Sequence, residues 1–441
     1  MNGPTGDPRA NSPSGPKLTG NAKRTYTGRY VVLLDQREPN QGLETLRSAA
    51  GITTVERVSG AAPDDSTQLL ARADASVLFD NLGVAVVETE PDQRHALVTA
   101  AEADPTIIAA EPERYVYASV ITEAERTTTH FFPAYRSDDE EIARQARARA
   151  AVFIGPAWDE MNTTWGIQAI RANSSTLTGH DVKIAVLDTG VDTDHPDLTG
   201  CVKETASFVP GETVDDGNGH GTHCIGTVAG PADPANAIRY GVAVGAGVLA
   251  GKVLSNEGEG TDGQILAGMS WAVSRGARVI SLSLGAEAEP GEPFPQTYEN
   301  VALRALRLGT VVVAAAGNES RRPGMVKPVG RPANCPSILA VAALGQDLAT
   351  AYFSCGAING EGGEVNIAAP GVGVLSAAPG GTYATMAGTS MATPHVAGAL
   401  ALFAEAHPDD SADELCGRLL SSAHPLPQPV EDIGTGLLQA P

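Results

Sequence analysis

Three short segments of the 441-residue chain set reactive side chains beside glycine. The apolar run 183–187 ends in Asp188-Thr-Gly-Val-Asp192, which puts a carboxylate where a buried strand emerges. Gly219-His220-Gly-Thr-His223 puts an imidazole at a glycine-permitted helix start, and Gly388-Thr389-Ser390-Met391 puts a hydroxyl at another. Pro394 is expected within the first turn of that second helix, where N–H groups lack intrahelical partners anyway. Serine is a poor nucleophile at its own pKa, so it needs an adjacent base, and the base needs an orienting carboxylate. Asp188, His220 and Ser390 are the candidates for orienter, general base and nucleophile. Each alone also suits a structural role; together, in the order Asp, His, Ser, they point to acyl transfer. That order excludes the α/β-hydrolase arrangement, which runs Ser, acid, His and needs a G-x-S-x-G turn.

Positioning three such groups calls for a rigid sheet. Short apolar strands are expected at 182–187, 248–254, 278–284, 310–316, 338–343 and 365–368, alternating with helices at 220–228, 262–275, 298–308 and 390–406. Strand-helix alternation predicts an α/β fold with a mainly parallel sheet covered on both faces, and its chemistry beyond the carboxyl ends of the strands. Ahead of it, a strand at 30–35, a helix at 43–50, two strands within 76–88 turning at Asn81-Leu-Gly83, a helix at 91–103 and a strand at 106–117 give a small α+β, ferredoxin-like domain. Residues 1–28 lack hydrophobic periodicity and are expected to be a disordered tail. Residues 119–160, with the acidic run Asp138-Asp-Glu-Glu141, read as a linker exposed enough to be cut. The boundaries are therefore 1–28, 29–118, 119–160 and 161–441.

Composition limits the partners. With 52 acidic against 30 basic residues the net charge is −22, which repels nucleic acid and anionic membrane surfaces, so neither is expected to bind. No apolar run reaches the 18 or so residues of a membrane span. Five cysteines without a CxxC pair make no disulfide framework. The N-terminus lacks a cationic start followed by an apolar stretch, so the expectation is cytoplasmic synthesis, with release not announced by a signal peptide.

The segments DTGVDTDHPDL, GHGTHCIGTVAG, VVVAAAGNES and GTSMATPHVAGALAL, with VISLSLG and APGVGVLS between them, resemble the signature blocks of the subtilisin-like serine proteases over about residues 160 to 440. The resemblance implies a three-layer subtilisin-like domain, a serine endopeptidase acting as a monomer on proteins or peptides, and chemistry that requires no cofactor. It implies Asn318 as the amide donor to the oxyanion, and Ser283, Leu284, Gly285, Ala316, Gly317 and Gly330 as substrate-binding positions, with Gly330 leaving room for a large side chain. His223 and His395 fall outside the catalytic positions and are expected to be structural, and Cys224 to be a buried free thiol. Asp197 stands where the family has a calcium ligand, so a structural calcium is a further expectation, with Asp233 or Asn236 as the other ligands to name. Residues 29–118 resemble the family's inhibitory propeptide, which implies a zymogen whose C-terminal strand, 107–118, enters the active site, and a cut between about Tyr117 and Trp158. The alternative is a non-catalytic or regulatory binding protein on the same fold.

Overall fold

Chain order runs β1 (Tyr26–Leu34), α1 (Pro39–Ala50), β2 (Val55–Val58), α2 (Pro63–Leu70), β3 (Ser76–Phe79), β4 (Val84–Val87), α3 (Pro91–Ala103) and β5 (Ile107–Ala118). After them come α4 (Trp165–Ala169), β6 (Lys183–Asp188), β7 (Val202–Ser207), α5 (His220–Ala229), β8 (Gly247–Lys252), β9 (Glu259–Thr261), α6 (Asp262–Ser274), β10 (Val279–Leu282), β11 (Leu284–Gly285), α7 (Gln296–Arg307), β12 (Val311–Ala315), β13 (Leu339–Leu344) and β14 (Ile367–Pro370). The chain finishes with β15 (Val374–Ala378), β16 (Thr382–Met386), α8 (Thr389–Ala406), α9 (Ala412–Ser422) and α10 (Val430–Ile433). The computed structural model describes residues 25–58, 60, 63–72, 75–119, 121, 156–360 and 362–441. Most of the expected tail, and residues 122–155 of the expected linker, lie outside the described residues.

The large sheet has the order β14-β13-β12-β10-β6-β8-β7, with every neighbouring pair parallel. Its inner strands are continuous apolar runs because helices cover both faces; Val311–Ala315 is buried at every position. From β6 the chain goes out to the edge strand β7, comes back to place β8 between them, then crosses to place β10 on the other side of β6. The reversal leaves a crevice at the carboxyl end of β6, where ligands bind in such sheets. Edge strand β7, VKETAS, escaped the sequence reading because Lys203, Glu204 and Thr205 run together and leave no apolar run.

The N-terminal sheet runs β5-β1-β4-β3-β2, antiparallel except for β2 with β3. The expected strand and helix order holds, with β2 and α2 added. Alternation along β1 divides its side chains between two cores. Val32 and Leu34 pack with Leu46 of α1 and Leu97 of α3, whereas Val31 and Leu33 join Val77, Phe79, Val84 and Val86 in the buried cluster that includes the large unit's core. Both faces of this small sheet are therefore buried, one of them by the large unit.

Polar groups fix the docking. Glu113 of β5 is fully buried; it accepts from Arg29 Nε at 2.7 Å and Nη2 at 2.9 Å, and from the Gly263 N–H at 3.0 Å in the first turn of α6. Glu111 takes the N–H groups of Gln296 and Thr297, which open α7, at 2.9 and 3.1 Å. Each carboxylate meets a helix N-terminus, where unpaired donors and the helix dipole favour negative charge. In return, Arg304 of α7 donates to the carbonyls of Leu34 and Leu82. Beyond the sheet, β5 runs between β9 and β11 in antiparallel register: Tyr115 faces Thr261, Val116 faces Gly260, and Ala118 faces Leu284.

Candidate active site

Asp188 is the last residue of β6 and is 1% exposed. Its Oδ1 accepts from the Thr189 N–H at 2.7 Å and from His220 Nδ1 at 2.7 Å. A carboxylate only accepts, so Nδ1 carries the proton and Nε2 is left as the basic nitrogen. His220 opens α5 after Gly219, whose φ of 97° is open to glycine and strained for other residues. The turn is tied down by Asp216, which accepts from the Gly219 N–H, the Thr189 hydroxyl, and both the N–H and hydroxyl of Thr222, at 2.7 to 2.8 Å. Burial would raise the Asp216 pKa, but these bonds hold it below the usual carboxylate value. Lys252, fully buried on β8, reaches the Thr189 carbonyl, Asn256 Oδ1 at 2.9 Å and Glu212 at 3.2 Å. Asp216 and Lys252 were missed from sequence, though Asp216 lies four residues ahead of His220 in DGNGH.

Burial pushes the His220 pKa down and is the largest single effect, yet the charge and hydrogen bond of Asp188, together with Cys224, outweigh it and the net direction is well above 6.5. Cys224, one helical turn on, is a buried free thiol with Sγ 3.9 Å from His220 Nδ1. Burial raises its pKa, so it is held as the neutral thiol. His223 and His395 are tied to backbone carbonyls, and burial lowers them to about 3 and about 4. Both are neutral spacers, as expected of structural residues.

Ser390 is the second residue of α8 and fully buried. Its hydroxyl donates to the Ser283 carbonyl at 2.9 Å, while the basic Nε2 of His220 has no hydrogen-bond partner among the described residues. Pro394 lies inside α8, beyond its first turn, which corrects the expected placement. The proline has no N–H for the carbonyl four residues back. That carbonyl belongs to Ser390, and it accepts instead from Ser283 Oγ at 2.8 Å and from Cys224 Sγ at 3.7 Å. The proline thus opens the tie between the start of α8 and residue 283.

Asn318 follows β12 and is oriented without ambiguity. Its Oδ1 accepts from both the N–H and the hydroxyl of Thr389, at 2.9 and 3.0 Å, so Nδ2 faces the cleft. There Nδ2 donates to Ser119 Oγ at 2.8 Å. A cavity of about 260 Å³ opens beside Ser119, with Gly285, Ala315, Gly317, Glu319, Gly330 and Arg331 among its walls. Ser283 and Leu284 meet the incoming strand rather than the cavity. Ala316, expected in the pocket, is not in its wall. Neighbouring residues of an extended segment point oppositely, and Ala316 instead holds the floor, its carbonyl accepting the Gly330 N–H at 2.9 Å. At Gly330 a Cβ would stand 2.8 Å from the Ala286 carbonyl, so backbone approach, besides pocket space, demands glycine.

Asp197 corrects another expectation. Its Oδ1 accepts from the Ala235 N–H at 2.9 Å, and its Oδ2 from the hydroxyls of Tyr240 and Tyr383 at 2.7 and 2.9 Å. Calcium wants six or more oxygen ligands; here hydrogen-bond donors converge on the carboxylate, and Asp233 and Asn236 are exposed. The residues present do not fit the ion. Thermal unfolding of an inactive full-length chain is accordingly expected to be unmoved by excess chelator. Tyr240→Phe is expected to cost about 1.5–3 kcal/mol, the worth of a buried hydrogen bond to a charged group. A large chelator-induced drop in Tm would show that a metal is bound after all.

With this geometry in place, the likenesses to known proteins are specific. The subtilase family profile matches residues 179–436. The chain is 42% identical over 264 residues to subtilisin E of Bacillus subtilis (strain 168), covering 59% of this chain and 65% of that protein. To the subtilisin of Bacillus pumilus it is 42% identical over 264 residues, 59% of this chain and 90% of the other. Subtilisin Savinase of Lederbergia lenta is 42% identical over 281 residues, 63% of this chain and 96% of its own length. The chain belongs to the subtilase family, and it spans a little under two thirds of the length of subtilisin E.

Proposed function

We propose that this chain is a serine endopeptidase made as a zymogen, in which Asp188, His220 and Ser390 form and break an acyl-enzyme and the N-terminal α+β unit is the intramolecular inhibitor. One observation carries most weight: the chain's own residues 115–119 lie antiparallel between β9 and β11, as an extended substrate would, with Ser119 against Asn318. Pairing of this kind recognises backbone and leaves sequence preference to the pockets. Protein or peptide substrates follow from it.

In this reading the Ser390 hydroxyl leaves the Ser283 carbonyl and gives its proton to His220 Nε2, already the basic nitrogen because Nδ1 is committed to Asp188. Ser390 Oγ attacks the substrate carbonyl carbon, and negative charge develops on its oxygen. Asn318 Nδ2, locked by Thr389, is ready for that oxygen before the charge appears. One such donor is worth about 10²–10³ in turnover, a magnitude carried over from subtilisin. His220 then protonates the leaving amine, and a water molecule completes hydrolysis by the same route in reverse.

A fluorophosphonate probe tests the assignment. It should label Ser390, and no other residue, once the N-terminal unit has been removed; absence of labelling would favour a binding protein built on the fold.

A further inference from the structure

Backbone hydrogen bonds on either side of one peptide bond set the register of the chain in the cleft. On the N-terminal side, the Ala118 N–H reaches the Gly258 carbonyl at 2.9 Å and the Ser119 N–H reaches the Ser283 carbonyl at 3.4 Å. On the C-terminal side, the Ile121 N–H reaches the Ala387 carbonyl at 2.9 Å, three residues before Ser390. Ser283 also accepts the hydroxyl of Ser390 and donates its own hydroxyl to the Ser390 carbonyl. The residue bonded to Ser283 is therefore the one beside the nucleophile. That residue is serine, whose short side chain does not fill the adjoining cavity of about 260 Å³. Its hydroxyl instead takes one of the two Asn318 Nδ2 protons at 2.8 Å, the one aimed into the cleft beside the nucleophile.

We infer that Ser119 is the acyl-donating residue of the chain's first self-cleavage, and that its hydroxyl slows that step by holding the Asn318 donor that its own carbonyl oxygen needs. The inference rests on the proposed peptidase activity and adds to it a site and a brake. In the step, a bond forms between Ser390 Oγ and the Ser119 carbonyl carbon while the bond from that carbon to the nitrogen of residue 120 breaks. The Ser390 proton passes through His220 to the departing amine. Water then adds hydroxide to the acyl carbon and returns a proton to Ser390, leaving a free carboxylate on Ser119.

The brake has a definite size. A neutral hydrogen bond has a net worth equivalent to about 2- to 10-fold in an equilibrium or rate, so removing the competing hydroxyl should speed cleavage by that factor. Full-length wild type, Ser119→Ala and Ser119→Thr, refolded from denaturant in parallel, would be followed by intact mass and N-terminal sequencing. The expected first new N-terminus is residue 120 in all three, reached about 2- to 10-fold sooner by Ser119→Ala, while Ser119→Thr keeps the hydroxyl and the wild-type pace. A first cut elsewhere, in a chain that still reacts with the fluorophosphonate and cleaves an added protein, overturns the site and leaves the peptidase reading intact. Equal rates for wild type and Ser119→Ala overturn the brake. A chain that neither cleaves itself nor labels at Ser390 overturns this inference together with the reading beneath it.

Discussion

Ser390→Ala should leave the chain at its full 441 residues and lower peptide hydrolysis by about 10⁶-fold, a magnitude carried over from subtilisin. The loss belongs to chemistry rather than folding. Alanine is the best helix former, and position 390 lies in the first turn of α8. The hydroxyl donates to the Ser283 carbonyl, which keeps its bond from the Ser119 N–H, so no buried acceptor is stranded. Stability should change by no more than about 1 kcal/mol. Intact mass and thermal unfolding of the purified variant check both halves. A variant that still trims itself while purified alone would show that another group attacks the chain. A variant that unfolds would show that the hydroxyl supports the fold.

Much of the site was legible because it is local. Asp188, His220 and Ser390 each sit at the end of a strand or the start of a helix, flanked by glycines that appear in the sequence itself. The strands of the parallel sheet are short apolar runs, so their existence could be read, with boundaries displaced by a residue or two. Other features depend on register between distant segments. Nothing in Tyr115-Val-Tyr-Ala-Ser119 marks which residue meets Asn318; pairing of β5 with β9 and β11 decides it. Glu111 and Glu113 read as polar positions of a strand, yet they cap helices more than 140 residues away. The strand β2, VERV, carries two charges in four residues and so lacked an apolar signature. Asp197 was assigned to calcium by position alone, and the two tyrosines that occupy it come from remote segments. Local chemistry is visible in a sequence, whereas the partners that tune it are supplied by the fold.

Asp188→Asn should lower turnover by about 10⁴-fold and move the pH dependence of what remains. The carboxylate Oδ1 receives both the Thr189 N–H and His220 Nδ1, while Oδ2 is buried without a partner among the described residues. An asparagine has no comfortable orientation there. With its oxygen in the Oδ1 place, its NH₂ group is buried and unpaired; turned over, the NH₂ faces the Thr189 N–H and offers His220 a donor where an acceptor stood. The second orientation drives the proton from Nδ1 to Nε2, and the base is lost. The direction in pH follows from charge. His220 works as the neutral form, so the rate rises as pH rises through its pKa, which the charge and hydrogen bond of Asp188, with Cys224, hold well above 6.5 against burial. Removing that charge leaves burial, the largest single effect, far less opposed, and the midpoint should fall even as the plateau falls. The rate of self-cleavage measured from pH 5 to about 10 in both chains decides the matter. A midpoint that stayed in place or rose would mean that some other group sets the protonation of His220.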